Sequence, residues 1–380
     1  MRAASVSDYR ILARRRLPRM LFEYIDGGAY AETTLARNVA DLEAIALRQR
    51  VMVDTRKLDL STSVVGQPMA VPFGLGPIGM AGMYARRGEV QAARAAAAIG
   101  APFCLSTMGV CSLEELAAAG APPWFQLYML RDRGYMRELL ARAREAACPV
   151  LVFTVDLPTP GARYRDIRSG FTGSSGFSAW WANAVDGITH PAWLWDVWMS
   201  GRPHVLGNVA GAIEGKKRVG DFLAWISRNF DRSMTWADMD FVREHWDGPI
   251  VVKGVLDVED ARDAVRAGAQ GLVVSNHGGR QLDGVRSSIA ALPRIADAVG
   301  GDLDLIFDGG VRSGLDVLKA LSLGAKACLL GRAWAWALGA GGEKTVAQML
   351  ATVRSELAVA MIMTGCTSVQ AAGPQLLDRD

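Results

Sequence analysis

Short, continuous apolar runs alternate with Ala- and Leu-rich stretches from residue 69 onward. An apolar run without alternation is typical of a parallel strand that is buried on both faces. The runs recur at about the 30-residue spacing of β/α units. Eight strands are predicted, over residues 70–75, 102–105, 124–128, 150–155, 250–252, 272–274, 303–307 and 327–330. The helical patterns between them cover residues 89–99, 113–119, 134–147, 258–267, 288–299 and 314–323.

One interval breaks this spacing, because residues 156–249 separate the fourth and fifth predicted strands. The excess lies within residues 170–248 and is interpreted as an insertion on the loop after strand four. Eight β/α units with one large insertion predict an α/β fold, a (β/α)8 TIM barrel, rather than an open sheet. Residues 1–380 are then a single barrel domain in which residues 1–65 form an N-terminal helical cover.

The N-terminal segment carries several arginines and lacks the apolar stretch of a secretory signal. Such a composition fits a transit peptide as well as a first helix; we prefer a helix that is capped at Ser7 and ends before Pro18. The richest apolar stretch, 326–342, is interrupted by Arg332 and by glycines, so no membrane-spanning helix is predicted. The N-terminal arginines are Arg10, Arg14, Arg15, Arg16 and Arg19.

Composition narrows the class of protein only modestly. Lys and Arg number 42 against 39 Asp and Glu, and a net charge of +3 is too small to indicate a nucleic-acid-binding surface. The five cysteines are odd in number, widely spaced and without a C-x-x-C pair, which predicts neither a disulfide framework nor a thiolate zinc site and favours a reducing compartment. They are Cys104, Cys111, Cys148, Cys328 and Cys366.

Polar residues and glycines follow all eight predicted strands. Because the carboxyl ends of barrel strands meet at one rim, these residues are expected to come together there. In chain order they are Pro77, Gly79, Ser106, Gln126, Tyr128, Thr154, Asp156, Arg163, Arg165, Lys253, Ser275, Asn276, His277, Arg280, Asp308, Gly310, Gly331 and Arg332.

His277 stands between a strand and two glycines, where the backbone can bend and a ligand can approach. A positioned imidazole beside a carboxylate such as Asp156 is a general-base arrangement. Two arginines, Arg280 and Arg163, could bind a substrate carboxylate in bidentate fashion. The alternative is a loop histidine with solvated neighbours.

Two glycine-rich turns, residues 308–312 and 331–332, follow the last two strands. Barrels often bind phosphate at this place, on backbone N–H groups helped by a cation, although ordinary turn glycines would look the same. The stretch 74–79 has the letters of a dinucleotide motif, but it contains Pro77 and lacks a clear acidic partner. The pattern therefore favours an organic phosphate cofactor beside an acid substrate, with Lys253 either stabilising an anionic cofactor or pairing with a carboxylate.

The sequence SNHGGRQLDG at 275–284 resembles the active-site signature of the FMN-dependent α-hydroxy-acid dehydrogenase and oxidase family. The resemblance extends over residues 8–365, nearly the whole chain. Within the family it is closer to the bacterial respiratory, quinone-linked L-lactate dehydrogenases. The stretches that carry this closer likeness are LFEYIDGGAY (21–30), MYARRGEVQAA (83–93), WFQLYMLRDRG (124–134), FTVDLPTPGARYRD (153–166) and WDGPIVVKG (246–254).

The resemblance implies a role for each rim residue. His277 would be the base, oriented by Asp156, while Lys253 would lie at the flavin edge where negative charge collects. The substrate carboxylate would be held by Arg163 and Arg280, with Tyr24 and Tyr128 completing its pocket. The flavin ring would contact Pro77, Gly79, Ser106, Gln126, Thr154, Lys253 and Ser275, and the ribityl chain and the phosphate would contact Asp308, Gly310, Arg312, Gly331 and Arg332.

The implied reaction oxidises L-lactate, a 2-hydroxy acid, to pyruvate on FMN and passes the electrons to a membrane quinone. A 2-hydroxy-acid oxidase that uses oxygen, a mandelate-type dehydrogenase and a non-catalytic flavin-binding scaffold at the membrane remain alternatives. The small Gly79 would leave room beside the flavin, which affects how easily oxygen reaches it but does not distinguish an oxidase from a dehydrogenase. Whether the base removes the Cα proton or the hydroxyl proton also stays open. The family commonly forms homotetramers.

The predicted insertion concentrates tryptophan, with five of the chain's 11 within 19 residues. Indole rings with flanking cations fit a contact with a membrane surface, here the cytoplasmic face of the inner membrane through residues 177–215. The alternative is an active-site lid whose rings pack on the barrel or on a neighbouring subunit. The aromatic residues are Phe177, Trp180, Trp181, Trp193, Trp195 and Trp198, with Ile188 and Met199 between and after them and Arg202, Lys216, Lys217 and Arg218 following.

Overall fold

The computed structural model describes residues 2–171, 185–212, 225 and 228–378. Eight parallel strands follow one another around a sheet in chain order, and a parallel bridge between Leu75 and Phe103 joins the first of them to the second and closes it. The predicted (β/α)8 barrel is confirmed. Its strands are β3 Phe73–Leu75, β4 Cys104–Ser106, β5 Trp124–Tyr128, β6 Leu151–Thr154, β7 Ile250–Val255, β8 Gly271–Val274, β9 Asp304–Asp308 and β10 Ala327–Leu330, preceded by a hairpin of β1 Thr62–Val64 and β2 Gln67–Met69.

Helices connect the strands and cover the outside of the barrel. Six of them match the predicted helical patterns to within two residues at either end. The helices are α1 Val6–Arg16, α2 Arg19–Asp26, α3 Thr33–Ala44, α4 Gly88–Ala97, α5 Leu113–Ala118, α6 Arg133–Glu145, α7 Tyr164–Arg168, α8 Asp238–His245, α9 Val258–Arg266, α10 Ser288–Val299, α11 Gly314–Ser322, α12 Arg332–Gly341 and α13 Glu343–Thr364. Short 3-10 turns lie at Ala81–Met83, Ala210–Ala212, Val369–Ala371 and Pro374–Leu376.

The core has two layers, as expected for strands that are buried on both faces. Inside the barrel, the strands contribute branched side chains such as Val152, Val251 and Ile306. Between barrel and helices lie larger side chains, among them Phe153 and Trp334. All five cysteines are free and buried, consistent with the absence of a disulfide framework.

The hairpin that precedes the barrel was not predicted. Its residues Val64 and Met69 are buried with the interior layer, so the hairpin closes the amino end of the barrel. Val65 and Gly66 both have positive φ, 46° and 79°, and the Val65 N–H donates to the Asp304 carboxylate at 2.6 Å. A β-branched residue at positive φ is unfavourable by itself, so the sequence contains no local sign of this turn. Because the hairpin covers the amino end of the barrel, the carboxyl ends of the strands remain open for a ligand-binding site.

The N-terminal cover begins with a helix whose cap differs from the prediction. The predicted cap at Ser7 is wrong: the helix is capped at Ser5, whose N–H donates to the Asp8 carboxylate at 3.0 Å. An acidic residue three positions after the cap completes a capping box, and Ser7 is followed at that distance by Arg10. The helices of the cover end at Ala44, and the chain from there to the hairpin is irregular.

Helix α13, Glu343–Thr364, corrects the expectation that no helix could span a membrane. The helix has 22 residues and contains an 18-residue stretch with a mean hydropathy of 1.4, which satisfies the length and composition of a membrane span, and it is the one helix in the described part of the chain that does so. One face of α13 is buried against the barrel's outer helices through residues such as Val346, Val353 and Leu357. A long apolar helix packed on a core passes the same test, so this helix is weak support for a span.

The insertion lies between β6 and β7, as predicted. Its described part contains a short helical segment, Pro191–Trp193, which continues as a π-helix over Leu194–Met199, and ends with α8. Trp193 is buried and donates its indole N–H to the Met83 carbonyl at 2.8 Å, whereas Trp195 and Trp198 are 71% and 43% exposed. Phe177, Trp180, Trp181, Lys216, Lys217 and Arg218 lie outside the described residues.

Candidate active site

A cavity of ≈ 430 Å³ opens at the carboxyl ends of the barrel strands. Three of the residues to which the family resemblance assigns a role, Gln126, Asp156 and Ser275, do not line it directly and instead contact residues that do. The other residues of that set line it: Tyr24, Pro77, Gly79, Ser106, Tyr128, Thr154, Arg163, Lys253, His277, Arg280, Asp308, Gly310, Arg312, Gly331 and Arg332. Arg165 lies outside the cavity, where it pairs with Asp26 and Glu32.

His277 and Asp156 form the predicted pair. The distance between His277 Nδ1 and Asp156 Oδ1 is 2.9 Å, and both side chains are largely buried. A carboxylate in this position accepts from the Nδ1–H, which fixes the tautomer and leaves Nε2 as the free base of the neutral ring. The pair can therefore accept a proton from a ligand in the cavity.

The loop after β8 holds His277 in an unusual backbone conformation. His277 itself has a φ of +57°, followed by Gly278 at +65° and Gly279 at +72°. Asn276 anchors this turn, since its side-chain amide and that of Asn38 on α3 donate to each other at 2.8 Å. A left-handed conformation at a non-glycine residue costs free energy, and it persists here because the surrounding bonds fix it.

Gly254 was missed by sequence reasoning, although it determines where Asp156 can lie. It follows Lys253 with a φ of +108°, and a Cβ atom there would lie 2.5 Å from the Asp156 Cγ. Only glycine leaves room for that carboxylate over the end of β7. The sequence did contain one sign of this role, namely a glycine directly after the lysine at the end of a strand.

Opposing effects set the protonation of the pair. Burial lowers the pKa of His277, and the neighbouring Asp156 only partly offsets it, so the net direction is downward. For Asp156, burial acts to raise the pKa, but His277 and Lys253 outweigh it and the pKa is lowered. At neutral pH the imidazole is thus neutral and the carboxylate ionised, which is the state that a general base needs.

Lys253 is a buried cation at the end of β7. Its Nζ lies 3.1 Å from the Asp308 carboxylate and donates to the Ser275 hydroxyl, also at 3.1 Å. Burial tends to lower the pKa of Lys253, yet Asp308 and Asp156 reverse the effect and raise it. The lysine therefore pairs with a carboxylate, as one of the two alternatives predicted, and it also lines the cavity; stabilisation of an anionic cofactor by Lys253 stays a prediction.

The two predicted carboxylate-binding arginines meet at Tyr24. The guanidinium carbons of Arg280 and Arg163 lie 4.8 Å and 6.0 Å from the centre of the tyrosine ring. Arg280 donates from Nη1 to the carbonyls of Tyr24 and Gly27, and its Nη2 has no protein partner among the described residues. Burial beside the Arg280 charge lowers the pKa of Arg163. Two crowded cations in a buried pocket are stabilised by an anionic ligand.

Asp166 is a further carboxylate in the cavity wall. One of its oxygens lies 3.9 Å from Arg163 Nη1, while its Oδ1 is buried without a partner. Burial raises its pKa in spite of the nearby Arg280 and Arg163. It therefore offsets the positive charge of the arginine pair only in part.

The two glycine turns differ in how their cations are used. Arg312 lies 4.8 Å over the Trp336 ring, and burial lowers its pKa to about 10, so a bound anion would stabilise its charge. Arg332 instead donates to the carbonyls of Ile25, Gly27 and Gly278 at 2.7–3.1 Å, which joins α2 to the loop after β8. The role of Arg332 as a phosphate ligand stays a prediction. Because its guanidinium N–H groups already donate to these carbonyls, fewer of them remain for a phosphate than the sequence suggested.

Polar atoms without partners show what kind of ligand the inner cavity suits. Gln126 Nε2 and Thr154 Oγ1, from adjacent strands, are buried and unsatisfied. Buried polar groups are nearly always paired, so these atoms are expected to bond to a ligand with polar edges. At the other end, Gly310 has a φ of +89° and would clash with the Asn38 carbonyl if it carried a Cβ. A flat polar ring with a phosphate tail, such as FMN, fits this arrangement.

The barrel, the base and the charged cavity together define a cofactor-dependent oxidoreductase. Residues 13–379 match the model of the FMN-dependent dehydrogenase family. An L-lactate dehydrogenase of Caulobacter vibrioides is 56% identical over 99% of this chain and 98% of its own length. The chain belongs to the FMN-dependent dehydrogenase family, and its cofactor is FMN.

Solved structures resemble the whole chain as well. A monotopic membrane protein, (S)-mandelate dehydrogenase, superimposes with a TM-score of 0.94 at 32% identity and covers 100% of both chains. A mandelate oxidase superimposes with a TM-score of 0.83 at 39% identity over 99% of this chain and 98% of its own. Both are similar in fold, so differences in substrate among these proteins arise within one architecture.

Proposed function

We propose that the protein oxidises L-lactate to pyruvate and that a membrane quinone is the final electron acceptor. L-lactate loses two electrons and two protons, and a quinone that gains both becomes the quinol. Two findings support the substrate: the Caulobacter vibrioides relative, at 56% identity, and the two arginines beside the base. The single observation that carries the proposal is the 2.9 Å contact between His277 and Asp156 in a cavity that also holds Arg163 and Arg280.

Binding orients the hydroxy acid. The carboxylate is held by Arg163 and by the free Nη2 side of Arg280, with the hydroxyls of Tyr24 and Tyr128 at the same part of the cavity wall. Since both tyrosines are packed among aromatic rings, at Phe171 and Phe230, they are rigid partners for a small substrate. Rigid, preorganised donors hold the reacting carbon at one distance from the base.

His277 takes a proton from the bound substrate through Nε2. The imidazolium that results is stabilised by the ionised Asp156 at Nδ1, so the pair keeps one negative charge beside the new positive one. The geometry is compatible with removal of either the Cα proton or the hydroxyl proton. Water is limited because the pair is largely buried.

FMN, when bound, accepts the two electrons that leave the substrate. We infer that its ring is held by Pro77, Gly79, Ser106, Gln126, Thr154, Lys253 and Ser275, and its ribityl chain and phosphate by Asp308, Gly310, Arg312, Gly331 and Arg332. The unsatisfied Gln126 and Thr154 atoms support the ring position. The buried charge of Lys253 stabilises negative charge that develops beside it.

Attachment to the membrane is proposed through the insertion. The exposed Trp195 and Trp198, together with Ile188 and Met199, supply apolar surface at the loop after β6. The similarity to a monotopic membrane protein supports a contact with one face of a bilayer. We infer the cytoplasmic face of the inner membrane and a homotetramer, with the tetramer resting on the family resemblance alone.

The decisive experiment is the anaerobic visible spectrum of the FMN-loaded protein before and after hydroxy acids are added. Bleaching of the flavin by L-lactate and not by D-lactate is expected. Bleaching by mandelate or longer 2-hydroxy acids and not by L-lactate would favour the mandelate-type alternative, to which the structural neighbours are similar. A flavin that no hydroxy acid reduces would overturn the enzymatic proposal and favour a flavin-binding scaffold.

The acceptor is tested separately from the substrate. Once reduced by L-lactate, the protein is mixed with a short-chain ubiquinone or with oxygen, and reoxidation of the flavin is followed. Rapid reoxidation by the quinone and slow reoxidation by oxygen are expected. Stoichiometric peroxide at a rate above that of the quinone reaction would identify an oxidase instead.

A further inference from the structure

The cavity continues beyond the residues that the hydroxy acid needs. It leaves the site beside Gly79, where an added Cβ would lie 3.2 Å from the Met108 Cβ. From there an apolar wall reaches the inserted segment between β6 and β7. We call this part of the cavity the apolar arm; its walls are Met80, Met83, Met108, Val110, Val205 and Leu206.

Backbone bonds fix the apolar arm on both sides. The Met80 N–H donates to the Met108 carbonyl at 2.8 Å, and the Gly207 N–H donates to the Gly109 carbonyl at 3.0 Å. The first bond joins the loops after β3 and β4, and the second joins the insertion to the loop after β4. The arm is therefore part of the folded barrel rim rather than a gap between independent segments.

The outer end of the arm lies among the tryptophans. His204 lines the cavity and stacks on Trp198, with ring centroids 4.9 Å apart and an interplanar angle of 17°. Trp193, whose N–H donates to the Met83 carbonyl, lies 6.4 Å from Trp198. Through His204 the wall of the cavity therefore reaches Trp198, which is 43% exposed.

His204 carries a polar atom with no partner at this place. Its Nε2 lies 3.0 Å from the Trp198 carbonyl, which can only accept, so Nε2 bears a proton. The other nitrogen, Nδ1, is buried without any partner among the described residues. Nδ1 accepts a hydrogen bond when the ring is neutral and donates one when the ring is protonated.

These features match one class of ligand. L-lactate has only a methyl side chain and binds through its carboxylate, so it does not fill an apolar arm. A quinone is a flat apolar ring with polar oxygens, and it arrives from a lipid phase. Methionine side chains adapt to such rings and pack favourably on them.

We propose that the apolar arm binds the quinone ring and that His204 Nδ1 accepts a hydrogen bond from an O–H of the ring once it has been reduced to the quinol. The inference rests on the proposed function, because it places the acceptor of that reaction. Reduction of the quinone consumes two electrons, taken from L-lactate by way of the cofactor, and two protons. L-lactate releases these two electrons and two protons when it is oxidised, so the overall reaction balances without a further acid, and the neutral His204 ring only accepts the O–H of the reduced ring.

Two matched substitutions test the arm in the FMN-loaded protein. Val205→Trp fills the arm, whereas Val185→Trp adds the same ring at a residue that is 54% exposed. The dissociation constant of oxidised ubiquinone-1 is measured by calorimetry without any hydroxy acid, so the readout is binding and not turnover. Val205→Trp is expected to raise this constant at least tenfold and Val185→Trp to leave it unchanged. Bleaching by L-lactate should change by less than threefold in both.

His204 is tested by a second pair. His204→Leu keeps apolar contact and loses the hydrogen-bond acceptor, and it should weaken binding of the reduced form, ubiquinol-1, about three- to tenfold. His204→Gln retains a polar atom and should recover part of the loss. Photolysis of an azido-ubiquinone on the wild-type protein needs no variant and should label the peptide that contains residues 204–206.

The outcomes separate the two proposals. Equal ubiquinone-1 affinity in Val205→Trp and Val185→Trp, or a photolabel far from residues 204–206, would overturn the quinone arm while L-lactate still bleaches the flavin. A raised KM for L-lactate with unchanged quinone affinity in Val205→Trp would assign the arm to the substrate side chain, and this also overturns the inference. A wild-type flavin that L-lactate does not bleach would instead remove the proposed function.

Discussion

The barrel rim and the insertion after β6 differ in the burial of the side chains that carry their proposed roles. At the rim, charged groups are buried in pairs, such as His277 with Asp156 and Lys253 with Asp308. In the described part of the insertion, large apolar rings are left at the surface, with Trp195 71% exposed. Buried pairs are costly to move and hold one geometry, whereas exposed rings remain available to a partner.

The two regions are nevertheless joined at defined contacts. Asp196 of the insertion pairs with Arg16 of α1 at 2.9 Å, and the same arginine donates to carbonyls of the barrel. The Trp193 indole adds a bond to the loop after β3. Mutations at the rim are therefore expected to change flavin reduction, and mutations in the insertion to change binding to a partner. The largest effects are expected at the rim.

The largest effect is expected from His277→Ala. Loss of a general base typically reduces a rate by about 10²- to 10⁴-fold, so bleaching of the flavin by L-lactate should be almost abolished. FMN should remain bound, as checked by the visible spectrum. His245→Ala is the control, since that ring bonds only to the carbonyl of Phe241 on its own helix. Near-normal bleaching in His277→Ala would show that the rim pair is not the base.

Asp156→Asn comes next and also changes the pH dependence. In the unmodified protein the rate of bleaching should be constant above about pH 6.5 and fall only below it, because burial lowers the pKa of His277 and protonation removes the base. Asparagine removes the charge that partly supports that pKa, so the acid limb should move lower still. The plateau should drop by roughly 10²-fold. Rates from stopped-flow spectra between pH 4.5 and 8 measure both; an acid limb that moves upward would contradict the assignment.

Gly254→Ala tests whether the rim geometry depends on a single missing atom. The new Cβ meets the Asp156 side chain at 2.5 Å, so the carboxylate must move and bleaching should slow by about tenfold or more. Gly268→Ala is the matched control: its φ of +76° is strained too, yet nothing lies within 4 Å of the added atom. Both variants should lose roughly 1 kcal/mol of unfolding free energy from the positive φ, measured in urea. Equal activity in the two would exclude the contact as the cause.

The smallest effect is expected at the insertion. Replacing Trp195 and Trp198 by serine removes apolar area on the order of 0.7 kcal/mol per partly exposed ring, so binding to lipid vesicles should weaken about tenfold. Lactate-dependent bleaching should be unchanged, which sharpens the contrast with the rim. Ile362→Ser with Met363→Ser removes exposed apolar side chains of α13 and is the control. A protein that stays in the soluble fraction at low salt, and whose partitioning a deletion of residues 177–215 does not alter, would contradict the anchor.

Much of the barrel could be predicted because its strands are short and apolar on both faces. All eight strands were found, and the rim residues that follow them lie around one cavity, since strand ends in a closed barrel share a rim. The β1–β2 hairpin was missed, because its turn depends on Val65 at positive φ, held by a hydrogen bond that its N–H donates to Asp304, more than 200 residues away. The cap at Ser5 was missed for a local reason that the sequence did contain, the Asp8 three residues later.

The sequence by itself determined the order of the β/α units, the place of the insertion and the types of side chain at each strand end. It could not determine which of these side chains touch. Tertiary structure alone decided that Gly254 leaves room for Asp156, that Arg332 binds backbone carbonyls, and that an apolar arm runs from Gly79 toward Trp198. The physical reason is that periodicity and local propensity act over a few residues, whereas these contacts join loops from different strands whose approach is set by closure of the whole barrel.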